Sequence, residues 1–219
     1  MNNPVARFKY PRTYHLPYSE CLSDDDKRLS SDDYFKAMHE VVVTAKMDGE
    51  NTTVYPDGYI HARSIDGAHN PWQDWLKKYS SKWYWKIPEG FRVCGENLYA
   101  RHSISYHFKD ESEYFQVFGV YEGDLCLGWE ETIRFIFDAI ECSHVPIIYI
   151  GKYDKEQIMA AFNEYRSNQK DEVEGFVVRN YDPFRLNYFS RNVGKYVRKN
   201  HITTDEHWTK SWTKNEIIS

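Results

Sequence analysis
The chain has 219 residues, of which 41% are hydrophobic, and a formal net charge of −5. That composition supports one large or two small domains with a real core. It excludes whole-molecule attraction to nucleic acid, so any polynucleotide contact needs a local basic surface. Cys21, Cys94, Cys126 and Cys142 have no paired spacing, which argues against a zinc site or a disulfide framework and for the reduced thiols of a cytoplasmic protein. No leader, transmembrane run or lipidation motif is visible, and His102 and His107 do not form a His-Glu-x-x-His pattern.

In chain order, Tyr10 to Pro17 is punctuated by proline and reads as irregular. The acidic run Asp24-Asp25-Asp26 reads as solvated, and a short helix is expected between Asp32 and His39. The β-branched run Val41-Val42-Val43-Thr44-Ala45 then forms a strand that ends at Lys46, and Asp48-Gly49 turns the chain. Thr52–Tyr55 and Tyr59–Arg63 read as a hairpin across Pro56-Asp57-Gly58. Asn70-Pro71 has the order of a helix cap followed by first-turn proline. Trp72, Trp75, Leu76 and Tyr79 fall on one apolar helix face, which is a core stripe rather than a base-binding platform. Further strands are expected at 91–96, 114–121, 125–127, 175–179 and 193–198, and helices at 130–141 and 155–165. Asp154 caps the second of these helices, with Gln157 placed for a return contact. The order is α+β with mostly antiparallel strands in one domain spanning 1–219.

Lys46 carries the chemistry. A lysine delivered by a strand to a turn is rigid and partly desolvated, as lysine-based covalent catalysis needs; the ammonium is not nucleophilic, so burial or neighbouring cations must lower its pKa. As a short pattern Lys-x-Asp-Gly recurs by chance, and a surface hairpin with an exposed lysine is the plain alternative. The partners decide between them, and they follow in order. Arg63 closes the hairpin strand, and Gly95-Glu96-Asn97 ends another. The run Phe115–Tyr121 is an aromatic strand, Glu174-Gly175-Phe176-Val177-Val178-Arg179 opens on a carboxylate, and Lys195-Tyr196-Val197-Arg198-Lys199 is basic. Singly, each has a structural reading: a strand-end arginine, a loop glutamate, a core phenylalanine.

Together, over residues 41–199, these elements resemble the ordered motifs of the covalent nucleotidyltransferases, the polynucleotide ligases and RNA capping enzymes. The resemblance implies an α+β nucleotidyltransferase domain (ATP-grasp-like ligase catalytic), with mostly antiparallel sheets flanked by helices; the family usually appends an OB or helical domain, and with 20 residues after Lys199 none is expected here. It implies Lys46 as the nucleophile and Asp48, Asn51 and Glu174 as organisers of Mg2+ and its waters, with Asp48 and Glu174 as the metal carboxylates. It further implies Arg63 and Lys195 on the phosphates, Glu96 on the ribose and Phe118 on the adenine. Two departures stand out. Gly119 occupies the place of the family's usual acidic residue, and Val197 that of a second cation, so Arg198 or Lys199 is expected to supply the missing charge.

Asn51, in Lys-x-Asp-Gly-x-Asn, resembles the phage-type RNA ligases that seal double strands, and the segments Pro11–Pro17 and Thr204–Trp208 resemble stand-alone RNA ligases. The implied activity is RNA ligation: lysyl-AMP formation from ATP, AMP transfer to an RNA 5′-phosphate, and sealing by a 3′-hydroxyl, with RNA repair as the setting. A monomer is expected, with an auxiliary domain or protein in trans gripping the RNA. The tail Thr203–Ser219 is expected to form at most a short helix, with Trp208 and Trp212 packing back. A GTP-dependent capping guanylyltransferase and a non-catalytic nucleotide- or RNA-binding module are the alternatives.

Overall fold
The computed structural model describes residues 6–22, 26–199 and 212–218. From the N-terminus the elements are β1 (Tyr14–His15), α1 (Asp33–Lys36), β2 (Val41–Lys46), β3 (Glu50–Val54), β4 (Ile60–Ala62), α2 (Gln73–Ser80) and β5 (Phe91–Asn97). There follow β6 (His107–Phe108), β7 (Phe115–Glu122), β8 (Leu125–Cys126), α3 (Trp129–Phe135), β9 (Ser143–His144) and β10 (Ile147–Gly151). The last are α4 (Lys155–Ser167), β11 (Gly175–Asn180), β12 (Phe184–Arg185), α5 (Phe189–Asn192), β13 (Val193–Val197) and β14 (Glu216–Ile217).

Two sheets carry the molecule. The first has the order β1-β13-β11-β2-β10, and the second runs β12-β8-β7-β5-β3-β4 with β9 beside β7. Most pairs are antiparallel, and the short β1, β9 and β14 pair in parallel. This is the expected α+β arrangement.

The run Val41–Ala45 is buried throughout because β2 lies inside the first sheet with both faces covered. Val41 and Val43 join Phe176, Val178 and Tyr196 in a core that takes in Ile158 and Phe162 of α4. On the opposite face Val42 meets Trp129 and Val145. The second sheet has its own core, in which Val93, Val117 and Val120 pack against Leu76 of α2 and against Ile136 and Ile140. The stripe from α2 is therefore core, as its periodicity requires.

Several boundaries differ from the sequence reading. Helix α1 is a single turn, Asp33–Lys36. Helix α2 starts at Gln73 and its N-terminus has no side-chain cap. Asn70 instead donates to Glu50 (3.4 Å), whose carboxylate also accepts from Trp72 Nε1 (3.0 Å) and Gln73 Nε2 (2.8 Å). A charged acceptor outcompetes a local cap. Helix α3 passes into a wider turn over Ile136–Ile140 and stops at Glu141, whose φ of 52° is left-handed. Asp154 does cap α4, accepting from Glu156 and Gln157 backbone N–H groups at 2.9 and 3.0 Å. The segment expected to be irregular contains β1, which adds a parallel edge to β13.

Residues 212–218 form no helix. β14 pairs with β6, and Trp212 packs edge-on to Trp72 at 5.9 Å. Trp208 and the remaining tail residues lie outside the described residues. Asn215 holds this segment: fully buried, it accepts from the Tyr106 N–H (2.8 Å) and donates to the Leu98 carbonyl (2.7 Å). Asn215→Ala leaves both backbone groups without a partner, so thermal or urea unfolding should show a loss of about 2–4 kcal/mol. An unchanged midpoint would mean that the segment is not part of the cooperative unit.

Candidate active site
A cavity of about 250 Å³ lies between the two sheets. Strand register explains which side chains enter it. Gly175 of β11 stands opposite Lys46 of β2 and Val197 of β13; Val177 opposite Thr44 and Lys195; Arg179 opposite Val42 and Val193. Alternate residues of a strand share a face. Thr44, Lys46, Val177, Arg179, Val193 and Lys195 accordingly line one wall of the cavity. Asn51 of β3, Glu96 of β5, and Phe118 and Tyr121 of β7 come from the opposing sheet.

On β7, alternation alone would not send both Phe118 and Tyr121 inward. Cys94 pairs with Gly119 and Gly95 with Val117, so Phe118 is the extra residue of a β-bulge. A bulge re-aims a side chain and frees a backbone group from the ladder. The Phe118 carbonyl accepts from Arg179 Nη1 (3.2 Å), while Nη2 donates to the Leu127 carbonyl (2.6 Å). A Cβ at Gly119 would meet the Tyr121 ring at 3.2 Å, so the departure at Gly119 accommodates that ring. Phe118 from one sheet and Val177 from the other both line the cavity, and Tyr10 meets Phe118 edge-on at 5.3 Å.

Lys46 lines the same cavity, largely buried, its Nζ in an ion pair with Glu174. Burial pulls its pKa down, but Glu174, Glu96 and Asp48 together outweigh burial and hold it above the ordinary lysine value. The expected lowering by a neighbouring cation is therefore corrected: Lys46 is an ammonium set among carboxylates. Lys195 is itself engaged by Asp26, at 2.9 Å. Glu96 responds in the opposite sense. Burial pushes its carboxyl up to about 8, against the opposing pull of Lys46, and Glu174 adds to the rise. Its Oε1 accepts from the Gly49 N–H at 3.2 Å.

The structure brings Lys46, Asn51, Arg63, Glu96, Phe118 and Lys195 to one cavity, with Glu174 on Lys46. Three expected residues are placed differently. Asp48 turns its Oδ2 to the N–H groups of Ser103 (2.8 Å) and Ile104 (2.9 Å), anchoring that loop. Arg198 points away, with Nη2 on Glu172 (2.6 Å) and Nε on the Val173 carbonyl (2.7 Å). Lys199 lies beyond β13, its N–H on Glu20 (2.8 Å), and does not line the cavity. Neither of the last two supplies the cation missing at Val197. Among the described residues, the cations that do line the cavity, besides Lys46 and Lys195, are Arg12, Arg63 and Arg179. Alternation from Gly175 could have identified Arg179. Nothing local marks Arg12, Tyr10 or Asp26, which arrive from the N-terminal segment.

Among the described residues no group of three or more His, Cys, Asp or Glu side chains is gathered to hold a metal. In the same cavity as Lys46, however, and across the strand pair from Glu96, Asn51 presents a buried Oδ1 without a hydrogen-bond partner among the described residues. An orphaned carbonyl oxygen near a carboxylate fits a cation such as Mg2+, which keeps most of its waters and takes few protein ligands.

The fold recurs among solved structures. A candidate ATP-dependent DNA ligase from Aquifex aeolicus superposes with a TM-score of 0.52 at 17% identity, covering 87% of this chain and 50% of that one. An archaeal ATP-dependent RNA ligase also gives 0.52 at 17% identity, covering 86% and 48%. A Naegleria gruberi RNA ligase variant with ATP and Mn gives 0.49 at 18% identity, covering 77% and 52%. The chain thus spans about half the length of these structures. No curated protein matches it by sequence. The RNA ligase family model matches residues 39–197, more than half of the chain and the whole run from β2 to β13. The chain belongs to the RNA ligase family.

Proposed function
We propose that this chain forms a covalent lysyl-AMP from ATP and uses it to join RNA ends. The observation that carries this reading is the position of Lys46: a largely buried side chain ion-paired to Glu174, in a cavity that Phe118, Val177 and, among the described residues, four further cations line. The adenine would lie between Phe118 and Val177, with the ribose hydroxyls toward Glu96. Arg63 and Lys195 would meet the phosphates.

Nζ of Lys46 must first lose a proton. Its lone pair then attacks the α-phosphorus, forming a P–N bond as the bond to the bridging oxygen breaks and pyrophosphate leaves with the electron pair. In the second step an oxygen of an RNA 5′-phosphate attacks the same phosphorus, and Lys46 recovers its electron pair and a proton. In the third, a 3′-hydroxyl attacks the activated 5′-phosphorus, loses its proton and expels AMP. Fixed cations along the wall would stabilise the charge that gathers on the phosphoryl oxygens.

Glu174 and Asn51 would hold Mg2+ through its waters. When bound, that ion offsets the carboxylates around Lys46 and favours the neutral amine.

Incubation with labelled ATP and Mg2+, followed by denaturing electrophoresis, should give an acid-labile, alkali-stable adduct on the protein. Lys46→Ala should abolish it. Label from GTP and not ATP would favour capping chemistry instead, and no lysine-dependent adduct with either would favour a binding module. Sealing of nicked and single-stranded RNA by the ATP-competent protein would identify the acceptor.

The carboxylates around Lys46 also set a pH dependence. Because they hold its pKa above the ordinary value, the amine fraction falls as pH falls. The single-turnover rate of adduct formation should climb up to about tenfold per unit from pH 6 to 8. A flat profile over that range would contradict an ammonium ground state.

A further inference from the structure
β13 carries a cation at Lys195 and none at Val197, yet those two positions are joined by a ring of polar contacts from the N-terminal segment. The Val197 N–H donates to Ser19 Oγ at 2.9 Å. Ser19 Oγ lies 2.7 Å from His15 Nδ1, and His15 Nε2 lies 3.2 Å from Asp26 Oδ2. Asp26 Oδ1 in turn accepts from Lys195 Nζ at 2.9 Å, and both Asp26 and Lys195 line the cavity. The ring starts and ends on one strand, two residues apart.

One proton arrangement suits every member. His15 is 1% exposed, and burial, with Lys195 adding, lowers its pKa, so the imidazole is neutral at neutral pH. With the proton on Nε2, that nitrogen faces the carboxylate and Nδ1 accepts from the Ser19 hydroxyl, which itself accepts from Val197. Ser19 is also buried, so the His15 ring beside Asp26 is held in place through Nδ1. Residues 15, 19 and 26 all precede the segment that matches the family, which begins at residue 39.

We infer that Asp26 is a positioning residue that aims Lys195 at the phosphates of the nucleotide, compensating for the absent cation at Val197; this rests on the nucleotidyl-transfer reading above. A lysine side chain has four rotatable bonds and loses much rotamer entropy when held in one place. Two cations on one strand face can share the task of meeting a phosphoryl group, whereas a single ammonium must be held where the charge develops. Asp26 takes one of the three ammonium donors and leaves two for phosphate oxygens. Its negative charge opposes nucleotide binding. Its effect therefore belongs in the rate of the bound complex rather than in affinity.

The test is single-turnover lysyl-adenylate formation by the full chain with ATP and Mg2+, which separates the rate at saturation from the ATP concentration at half-maximal rate. Asp26→Ala should lower the saturating rate about 10- to 100-fold, the size expected for a misplaced reacting group. Its half-saturating concentration should stay equal or fall. Asp26→Asn, which keeps an acceptor oxygen, should recover the rate to within a few-fold of the parent. In a Lys195→Ala background, Asp26→Ala should have no further effect, because the residue acts through that lysine. Faster adenylation by both Asp26 variants would make Asp26 a gate and overturn the proposal. An undiminished penalty in the Lys195→Ala background would overturn it as well. Absence of any adduct on the parent protein would instead remove the nucleotidyl-transfer reading. A normal parent with an unaffected Asp26→Ala would remove only the positioning role.

Discussion

The site depends on how closely three strands approach at one residue. Gly175 lies between Lys46 on β2 and Val197 on β13, and a Cβ built on it would come within 1.9 Å of the Tyr196 carbonyl oxygen. Only a residue without a side chain lets β11 sit that near its neighbour. That register aligns Thr44, Val177 and Lys195 in one row and Val42, Arg179 and Val193 in the next. It also leaves Glu174, immediately before the strand, in contact with Lys46. A slip of one residue would turn every one of these side chains to the opposite face, into the core against α4.

Charge around the cavity is closely balanced. The two lysines of the wall each have a carboxylate partner, Glu174 for Lys46 and Asp26 for Lys195, while Arg179 is held by backbone carbonyls. A buried ammonium without a partner would be expensive, so these pairs make the cationic wall tolerable in a folded protein. The same pairs mean that a phosphate entering the cavity meets ammonium groups already fixed in direction. Burial raises the Glu96 carboxyl to about 8, against the pull of Lys46, and the neighbouring Glu174 and Asp48 add to the rise.

Much of this was legible along the chain. The β-branched run before Lys46, the Glu-Gly opening of β11 and the basic start of β13 each expose a strand by composition and its end by chemistry, and all three strands formed within about a residue of expectation. The Trp72–Tyr79 stripe declared its core face by periodicity. Boundaries failed where a distant group outbid a local one. Glu50 drew Asn70, Trp72 and Gln73 into its own hydrogen bonds, and the expected cap of α2 never formed. Asn215 tied its segment to Leu98 and Tyr106 as an extended chain, although that stretch has no strand pattern of its own.

What sequence by itself determined is the place of Lys46 at the end of its strand, the order of its candidate partners along the chain and, Phe118 on its bulge apart, the side of each strand on which they fall. Those properties follow from period-two alternation and from residue chemistry, both local. Only the tertiary structure decided which cations reach the cavity and how they are charged. Arg198 and Lys199 are near the motif in sequence, yet the end of β13 carries them to Glu172 and Glu20. Arg12, Asp26 and Tyr10 are far from it in sequence, yet the parallel pairing of β1 with β13 brings their segment beside the cavity. The protonation of Lys46 and Glu96 likewise depends on burial and on carboxylates supplied by separate strands, so no local pattern encodes it.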